Sequence, residues 1–319
     1  MRPGVKGLYA IVDVPHPHGL EVETITAAVL GRRRGGGRDG ASVVQLRAKQ
    51  ASTQQRVEWL RRMAPLCRDA GAMLIADDDI EAAIVGGADG VHLGQDDPGA
   101  DDPDAVRRRA AAAGRMDFTI GLSTHDLGQL RQAGRLRPDY LALGPIAPTR
   151  SKANPDPVVG WSGLLDGCRL ASKPLVAIGG LGSEGGARAL EAGAAAVAVI
   201  GALVFDDPQR IREEAIALSS AFERAAAPLS LAEVHRQIPV LPAEQLHDLA
   251  HWGDSLGVHV ALGLPARFAP RVEDGRAVYR PCDVIDLLMA LGKHPAETWE
   301  QWRERGAEEA GPLVQLRRS

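Results

Sequence analysis

Short apolar segments alternate with longer amphipathic segments through the first two thirds of the chain. Eight apolar segments have the length and composition of buried parallel strands, and each stops at a glycine or at polar residues. The strands are predicted at residues 7–13, 42–46, 73–76, 91–93, 118–122, 140–143, 174–178 and 196–200. Helices are predicted between them at 21–30, 53–70, 80–85, 104–113, 127–133, from Trp161, at 184–192 and at about 207–224.

Strict alternation of strand and helix over roughly 220 residues favours a (β/α)8 TIM barrel, because each parallel crossover needs a helix and the usual barrel has about 250 residues. A doubly wound open α/β sheet is the alternative. We assign residues 1–226 to the barrel. In both folds ligands bind at the carboxyl ends of the strands, so the strand ends are where chemistry is expected.

Acidic residues follow the third and fourth predicted strands. Asp77, Asp78 and Asp79 come directly after the third strand, and Asp97 lies in the GVHLGQDD segment that contains the fourth. Carboxylates on neighbouring strands suit a hard cation such as Mg²⁺, which takes oxygen ligands and usually bridges to substrate phosphates. The alternative for the Asp77–Asp79 run is a turn followed by a helix N-cap. His92 lies inside the fourth strand and is interpreted as a core histidine rather than a base.

Cations and small polar residues follow the other strands. The second strand ends in QLRAK, where Arg47 and Lys49 point the same way. The fifth ends at Ser123, and the sixth in GPIAPTRSK, which offers Thr149, Ser151 and Lys152 to an anion. Glycine-rich segments after the seventh and eighth strands, IGGLG and VIG, predict a phosphate site of backbone N–H groups.

Composition limits the partners and the compartment. A net charge of −4 gives no electrostatic reason to expect nucleic acid, and no apolar run approaches the about 20 residues of a membrane helix. The three cysteines are far apart and lack metal-ligand spacing, which fits a reducing compartment. With no signal peptide before the first strand, we expect a cytoplasmic protein that binds small molecules, neither nucleic acid nor membrane; a homo-oligomer stays open.

The strand-end motifs together resemble the thiamine phosphate synthase family, also called thiamine-phosphate pyrophosphorylase. They are QLRAK, the aspartates after the third strand, GVHLGQDD, STH, GPIAPTRSK, and AIGGLG with AGAAAVAVIGAL, and the resemblance covers residues 7–205. It implies condensation of 4-amino-2-methyl-5-(diphosphooxymethyl)pyrimidine with 4-methyl-5-(2-phosphooxyethyl)thiazole, giving thiamine phosphate and diphosphate. Diphosphate would leave first, and the thiazole nitrogen would capture the resulting pyrimidine carbocation.

The resemblance also implies roles for individual residues. Asp78 and Asp97 match the Mg²⁺ ligands, and Arg47, Lys49, Ser123 and Lys152 the catalytic residues. The pyrimidine diphosphate site is matched by Gln45, Arg47, Lys49, Asp77, Ser123 and Lys152, and the thiazole phosphate site by Thr149, Ser151, Gly180, Ile200 and Gly201.

Three positions depart from the family pattern, which usually has Asn at Asp77, Thr at Ser151 and Ser at Gly201. Asp77 matters most, because a carboxylate repels a diphosphate unless a metal shields the pair. Two alternatives stay open: a thiazole tautomerase-like enzyme, which would leave the acidic clusters without a ligand, and a non-catalytic thiamine phosphate sensor.

The pattern changes after Pro228, where the resemblance ends. Residues 227–319 are interpreted as a C-terminal α+β extension of unknown role, with helices at 243–256, 283–291 and 296–310 and a strand at 258–262. A hairpin is predicted at 267–280, turning at Asp274-Gly275. His247 and His251 share a helix face but have no third ligand in view, so an ordinary helix surface is the preferred interpretation.

Overall fold

The computed structural model describes residues 4–31, 38–149, 156–227, 229–230, 271–273 and 276–279. The chain divides into two compact units, residues 1–225 and 226–319. In the described parts of the chain, none of the helices is long and apolar enough to cross a membrane.

The first unit is a closed barrel of eight parallel strands in sequential order, with a helix after each strand. The strands are β1 Gly7–Asp13, β2 Val43–Arg47, β3 Met73–Asp77, β4 Gly90–Leu93, β5 Thr119–Thr124, β6 Tyr140–Leu143, β7 Leu175–Ile178 and β8 Ala196–Val199. The helices are α1 Val22–Leu30, α2 Thr53–Ala70, α3 Ile80–Gly86, α4 Pro103–Ala112, α5 Leu127–Arg135, α6 Gly160–Leu170, α7 Ser183–Glu191 and α8 Pro208–Ala226. Closure between β1 and β8 confirms the barrel and excludes the open sheet.

Each strand separates two apolar regions. One face contributes to a core between strands and helices, built mostly from Leu, Val, Ile and Ala. The other face fills the barrel interior with side chains that include Tyr9, Ile75, Tyr140 and Val176. Because both faces are covered, the strands are almost continuously apolar until they reach their carboxyl ends. There the polar positions begin.

Helix starts are encoded locally. Ser52 and Gln55 form a capping box at the start of α2, and the Asp102 and Asp126 carboxylates accept hydrogen bonds from backbone N–H groups of α4 and α5. These caps fix where the loops after β2, β4 and β5 end. They therefore help to define the loops that carry the site.

In the second unit, a three-stranded antiparallel sheet is described: β9 Leu229–Ser230, β10 Arg271–Glu273 and β11 Arg276–Tyr279. The pairing of β10 with β11 around residues 274–275 confirms the predicted hairpin. The other elements predicted for this extension lie outside the described residues, as do His247 and His251.

Candidate active site

A cavity of about 700 Å³ lies at the carboxyl ends of the barrel strands. Nine of the predicted site residues line it: Gln45, Arg47, Lys49, Asp77, Asp78, Asp97, Ser123, Thr149 and Ile200. Gly180 and Gly201 each adjoin a lining residue, Gly179 and Ile200 respectively. Ser151 and Lys152 lie outside the described residues. The cavity thus brings together residues from six strand ends that are distant in sequence.

Asp78 and Asp97 meet at the edge of this cavity. Burial and a hydrogen bond with Asp78 raise the pKa of Asp97 above its usual value, as expected for two acids that compete for one site. Asp78 has a left-handed backbone with a φ of 61°, which is uncommon outside glycine. Its N–H donates to the carbonyl oxygen of His92 at 2.8 Å, which fixes this turn.

Asp79 has a different role from its two neighbours. Its Oδ1 accepts a hydrogen bond from the N–H of Ala82 at 2.9 Å, so it caps α3. Its Oδ2 accepts from Thr53 at 2.8 Å and from the guanidinium of Arg56 at 3.0 Å. The N-cap alternative for the Asp77–Asp79 run is therefore confirmed for Asp79, whereas Asp77 and Asp78 line the cavity.

Lys49 links the acidic residues of the site. Its Nζ lies 2.6 Å from Oδ2 of Asp78 and 3.0 Å from Oδ2 of Asp77. Burial lowers the pKa of the Lys49 ammonium, but the two carboxylates together raise it above its usual value. Arg47 pairs with Asp13 at 2.6 Å and lies 4.0 Å from Asp77. The two cations thus stand beside the carboxylates at one side of the cavity.

Asp77 is the most deeply buried acid of the site. Burial raises its pKa to about 6, a rise that Asp78 reinforces and Lys49 and Arg47 oppose. Its Oδ1 accepts a hydrogen bond from Nε2 of Gln45 at 2.5 Å. Among the described residues its Oδ2 accepts no hydrogen bond of good geometry, although Lys49 is in ion-pair range. Asp77 therefore has one carboxylate oxygen fixed by the hydrogen bond from Gln45, and its other oxygen is stabilised by the positive charges of Lys49 and Arg47.

The cavity floor carries polar side chains that the sequence analysis did not select. Tyr9 contacts Gln45 Oε1 at 2.8 Å and the hydroxyl of Tyr140 at 3.0 Å. The Tyr140 hydroxyl lies 3.0 Å from Nδ1 of His92, and Nε2 of His92 lies 2.8 Å from Oγ of Ser123. His92 is buried, as predicted, but it belongs to this polar chain. The sequence offered one signal for these contacts: Tyr9 and Tyr140 lie in predicted apolar strands, and a buried tyrosine hydroxyl needs a hydrogen-bond partner.

Asp13 was also missed, and here the sequence did contain a usable signal. Tyr9, Ile11 and Asp13 alternate along β1 and so face the same side, and Asp13 pairs in register with Arg47. Applying to β1 the rule that selected Arg47 on β2 would have placed Asp13 at the same end of the barrel.

The opposite side of the cavity is rich in glycine. Gly179 and Gly180 follow β7 with φ values of 96° and 69°, and a Cβ atom on Gly180 would lie 2.5 Å from the carbonyl oxygen of Pro148. Only glycine fits such a position without strain. α7 begins at Ser183, and Gly182 before it supplies no side-chain cap to the first N–H groups. Backbone N–H groups at a helix start favour an anion.

Comparison with known proteins agrees with this geometry. The family model described as "Thiamine monophosphate synthase" matches residues 8–203. A thiamine-phosphate synthase of Chlorobium phaeovibrioides is 40% identical over 177 residues, 56% of this chain and 81% of that protein. One from Koribacter versatilis is 38% identical over 215 residues, 67% of this chain and 97% of that protein.

A solved structure is also similar to this chain. The thiamine phosphate pyrophosphorylase from Pyrococcus furiosus is 28% identical with a TM-score of 0.58, over 69% of this chain and 97% of that one. The match to the family model covers the eight barrel strands except for Gly7 of β1, and it covers all the described residues that line the cavity. The chain belongs to the thiamine monophosphate synthase family, and it is a transferase of thiamine biosynthesis.

Proposed function

We propose that this enzyme condenses 4-amino-2-methyl-5-(diphosphooxymethyl)pyrimidine (the pyrimidine diphosphate) with 4-methyl-5-(2-phosphooxyethyl)thiazole (the thiazole phosphate), releasing diphosphate and forming thiamine phosphate. The observation that carries the proposal is one cavity with paired carboxylates and cations on one side and a glycine-lined turn on the other. The first side suits a metal-bound diphosphate and the second a phosphate monoester.

The cationic side of the cavity supports a role in leaving-group departure. Charge accumulates on the diphosphate as its bond to the pyrimidine carbon breaks, and fixed cations stabilise that charge without reorganisation. Arg47 and Lys49 are already held in place by Asp13, Asp77 and Asp78. Lys152 is proposed to join them from the loop after β6.

The two substrates are proposed to occupy opposite sides of the cavity. Gln45, Asp77 and Ser123 would contact the pyrimidine near the barrel axis. The thiazole phosphate would be bound by the following residues: Thr149, Ser151, Gly180, Ile200 and Gly201. Gly201 opens a short 3-10 turn, Gly201–Leu203, so its contribution is a backbone N–H group.

The proposal includes Mg²⁺ as a cofactor, and the residues present fit it. Asp78 and Asp97 are hard oxygen donors whose mutual repulsion a divalent cation would relieve. In the described part of the chain, no three His, Cys, Asp or Glu side chains are close enough together to hold a metal ion among them. Two carboxylates suffice for Mg²⁺, which keeps several waters and takes other ligands from substrate phosphates. When bound, the ion would neutralise charge on the departing diphosphate.

Product analysis with both substrates tests the proposal. Purified full-length protein with Mg²⁺ is expected to form thiamine phosphate and diphosphate in equal amounts. Conversion of the thiazole without diphosphate release would instead indicate a tautomerase-like enzyme. Binding of thiamine phosphate with no turnover would indicate a sensor.

Two matched variants test the metal site. Asp78→Asn removes a carboxylate yet tolerates the left-handed backbone, and it is expected to lower turnover about 100-fold and to weaken the Mg²⁺ response. Asp79→Asn removes a charge next to it but keeps the helix cap, and it is expected to retain the Mg²⁺ response. Equal Mg²⁺ responses in the two variants would contradict the assignment of Asp78.

A further inference from the structure

Hydrogen bonds beneath the cavity link the following side chains in order: Asp77, Gln45, Tyr9, Tyr140, His92 and Ser123. The donor and acceptor roles at the Asp77 end of this polar chain determine the direction of each later hydrogen bond. The Gln45 amide donates from Nε2 to Oδ1 of Asp77 at 2.5 Å. Its Oε1, which can only accept, therefore receives the proton of the Tyr9 hydroxyl at 2.8 Å.

The direction passes through the two tyrosines because each hydroxyl has a single proton. Tyr9 uses its proton on Gln45, so at the 3.0 Å contact it accepts from Tyr140. Tyr140 has then used its own proton, so it must accept from Nδ1–H of His92 at 3.0 Å. The stacked rings of Tyr140 and His92, with centroids 5.5 Å apart, keep the two groups in this geometry.

His92 transmits the direction to the cavity. Its ring is buried and its two nitrogens contact the hydroxyl groups of Tyr140 and Ser123, an environment that favours the neutral imidazole over the charged one. A neutral imidazole that carries its proton on Nδ1 has a lone pair on Nε2. That lone pair accepts from the hydroxyl of Ser123 at 2.8 Å. Turning the Ser123 proton away would leave a buried acceptor unsatisfied.

We propose that His92 is a positioning residue: held as the Nδ1–H tautomer by Tyr140, it draws the Ser123 proton inward and leaves the Ser123 oxygen facing the cavity as a hydrogen-bond acceptor. The ligand group that meets Ser123 is then an N–H or O–H donor, and a phosphate oxygen is disfavoured there. Identifying this donor with the amino group of the pyrimidine rests on the proposed function; the tautomer and the direction of the chain do not.

The tautomer is measured directly in the full-length protein labelled with ¹⁵N-histidine. In the proposed state the His92 spectrum shows a protonated Nδ1 and an unprotonated Nε2; the reverse pattern, or a doubly protonated ring at pH 7, overturns the inference. The His92 signals are those lost in His92→Gln. If that variant does not fold, sequential backbone assignment identifies them.

Tyr140→Phe supplies the second measurement because it removes only the hydroxyl that accepts from Nδ1 of His92. The Nε2–H tautomer is expected to become populated, turning Ser123 into a donor. The KM for the pyrimidine diphosphate is expected to rise about tenfold, the equivalent of one hydrogen bond, with little change in the KM for the thiazole phosphate. An unchanged tautomer, or equal changes in both KM values, would count against the proposal.

Thr124→Val is the matched control. It removes the neighbouring buried hydroxyl, which donates to the carbonyl oxygen of Ala142 at 2.7 Å and lies outside the chain, so the His92 tautomer is expected to stay as in the wild type. The two proposals fail in different ways. If the wild type does not couple the substrates but His92 is Nδ1–H, the proposed function fails alone; if it couples them with His92 as Nε2–H, the positioning role fails alone.

Discussion

Replacing Gly121 by alanine is expected to disrupt the cavity floor from beneath. Gly121 lies on β5 opposite Tyr140 on β6, and the Tyr140 ring occupies the space where a side chain would be. A Cβ atom at Gly121 would overlap Cζ and the hydroxyl of Tyr140 and lie 2.5 Å from Cε1. Since real Cβ atoms do not approach this closely, the ring must move.

The cost follows from what the moved ring loses. Overpacking of a buried site costs about 1–3 kcal/mol. Displacing the Tyr140 hydroxyl also breaks its contacts with Tyr9 and His92, each 3.0 Å long and each worth about 1 kcal/mol. The free energy of unfolding is therefore expected to fall by about 4 kcal/mol, a large share of the typical about 5–15 kcal/mol.

Urea unfolding followed by tryptophan fluorescence and circular dichroism measures this loss through the transition midpoint. Two variants separate the clash from a general effect of alanine. Gly4→Ala adds a methyl where no atom lies within 4 Å, and it is expected to change stability by less than about 0.5 kcal/mol. In a Tyr140→Val background, which removes the ring, the added cost of Gly121→Ala is expected to fall below about 1 kcal/mol. A Gly121→Ala protein as stable as the wild type would refute the reasoning, and so would an equal cost in both backgrounds.

Further outcomes are expected at other sites. Burial lowers the pKa of His92 from 6.5 to about 4, so the unfolded chain takes up a proton at a higher pH than the folded chain does. The free energy of unfolding is therefore expected to be highest above pH 6.5 and to fall by up to about 3 kcal/mol as the pH decreases toward 4. Urea midpoints of wild type and His92→Gln between about pH 7.5 and pH 4.5 should diverge accordingly, and parallel curves would contradict it. Gly180→Ala, which strains a left-handed backbone, is expected to raise the KM for the thiazole phosphate about tenfold and to leave that for the pyrimidine diphosphate unchanged; equal KM changes would argue against a phosphate site there. Asp79→Ala removes the α3 cap and is expected to lower stability by about 1 kcal/mol, seen as a shifted urea midpoint, while the Mg²⁺ requirement persists; a lost requirement would return Asp79 to the metal site.

The barrel and most of its strand ends could be predicted because their signals are local. An apolar run that stops at glycine or at charged residues marks both a strand and the position of its chemistry, as in β2 with Arg47 and β4 with the aspartates beyond it. Strand bounds differed by a residue or two: β2 extends to Arg47, and β8 ends at Val199, since Ile200 already belongs to the following turn.

The polar floor could not be read from the sequence because its contacts depend on barrel closure. Tyr9 and Tyr140 are 131 positions apart, and they meet only because β1 and β6 face one another across the interior. Likewise, the backbone turn at Asp78 determines that Asp77 and Asp78 line the cavity while Asp79 caps α3. A run of identical residues carries no information about such a turn.

The left-handed turn at Asp78 has a consequence for how substitutions at that position would be tolerated. Of the twenty residues, glycine, asparagine and aspartate adopt a φ of 61° most readily, whereas a carboxylate is available only from aspartate and glutamate. A saturation library at position 78 selected for folding alone should therefore retain three residue types, and the same library selected for growth without external thiamine should retain aspartate alone. Backbone shape and the proposed metal ligation would restrict the position by separate routes, and aspartate is the single amino acid that satisfies both.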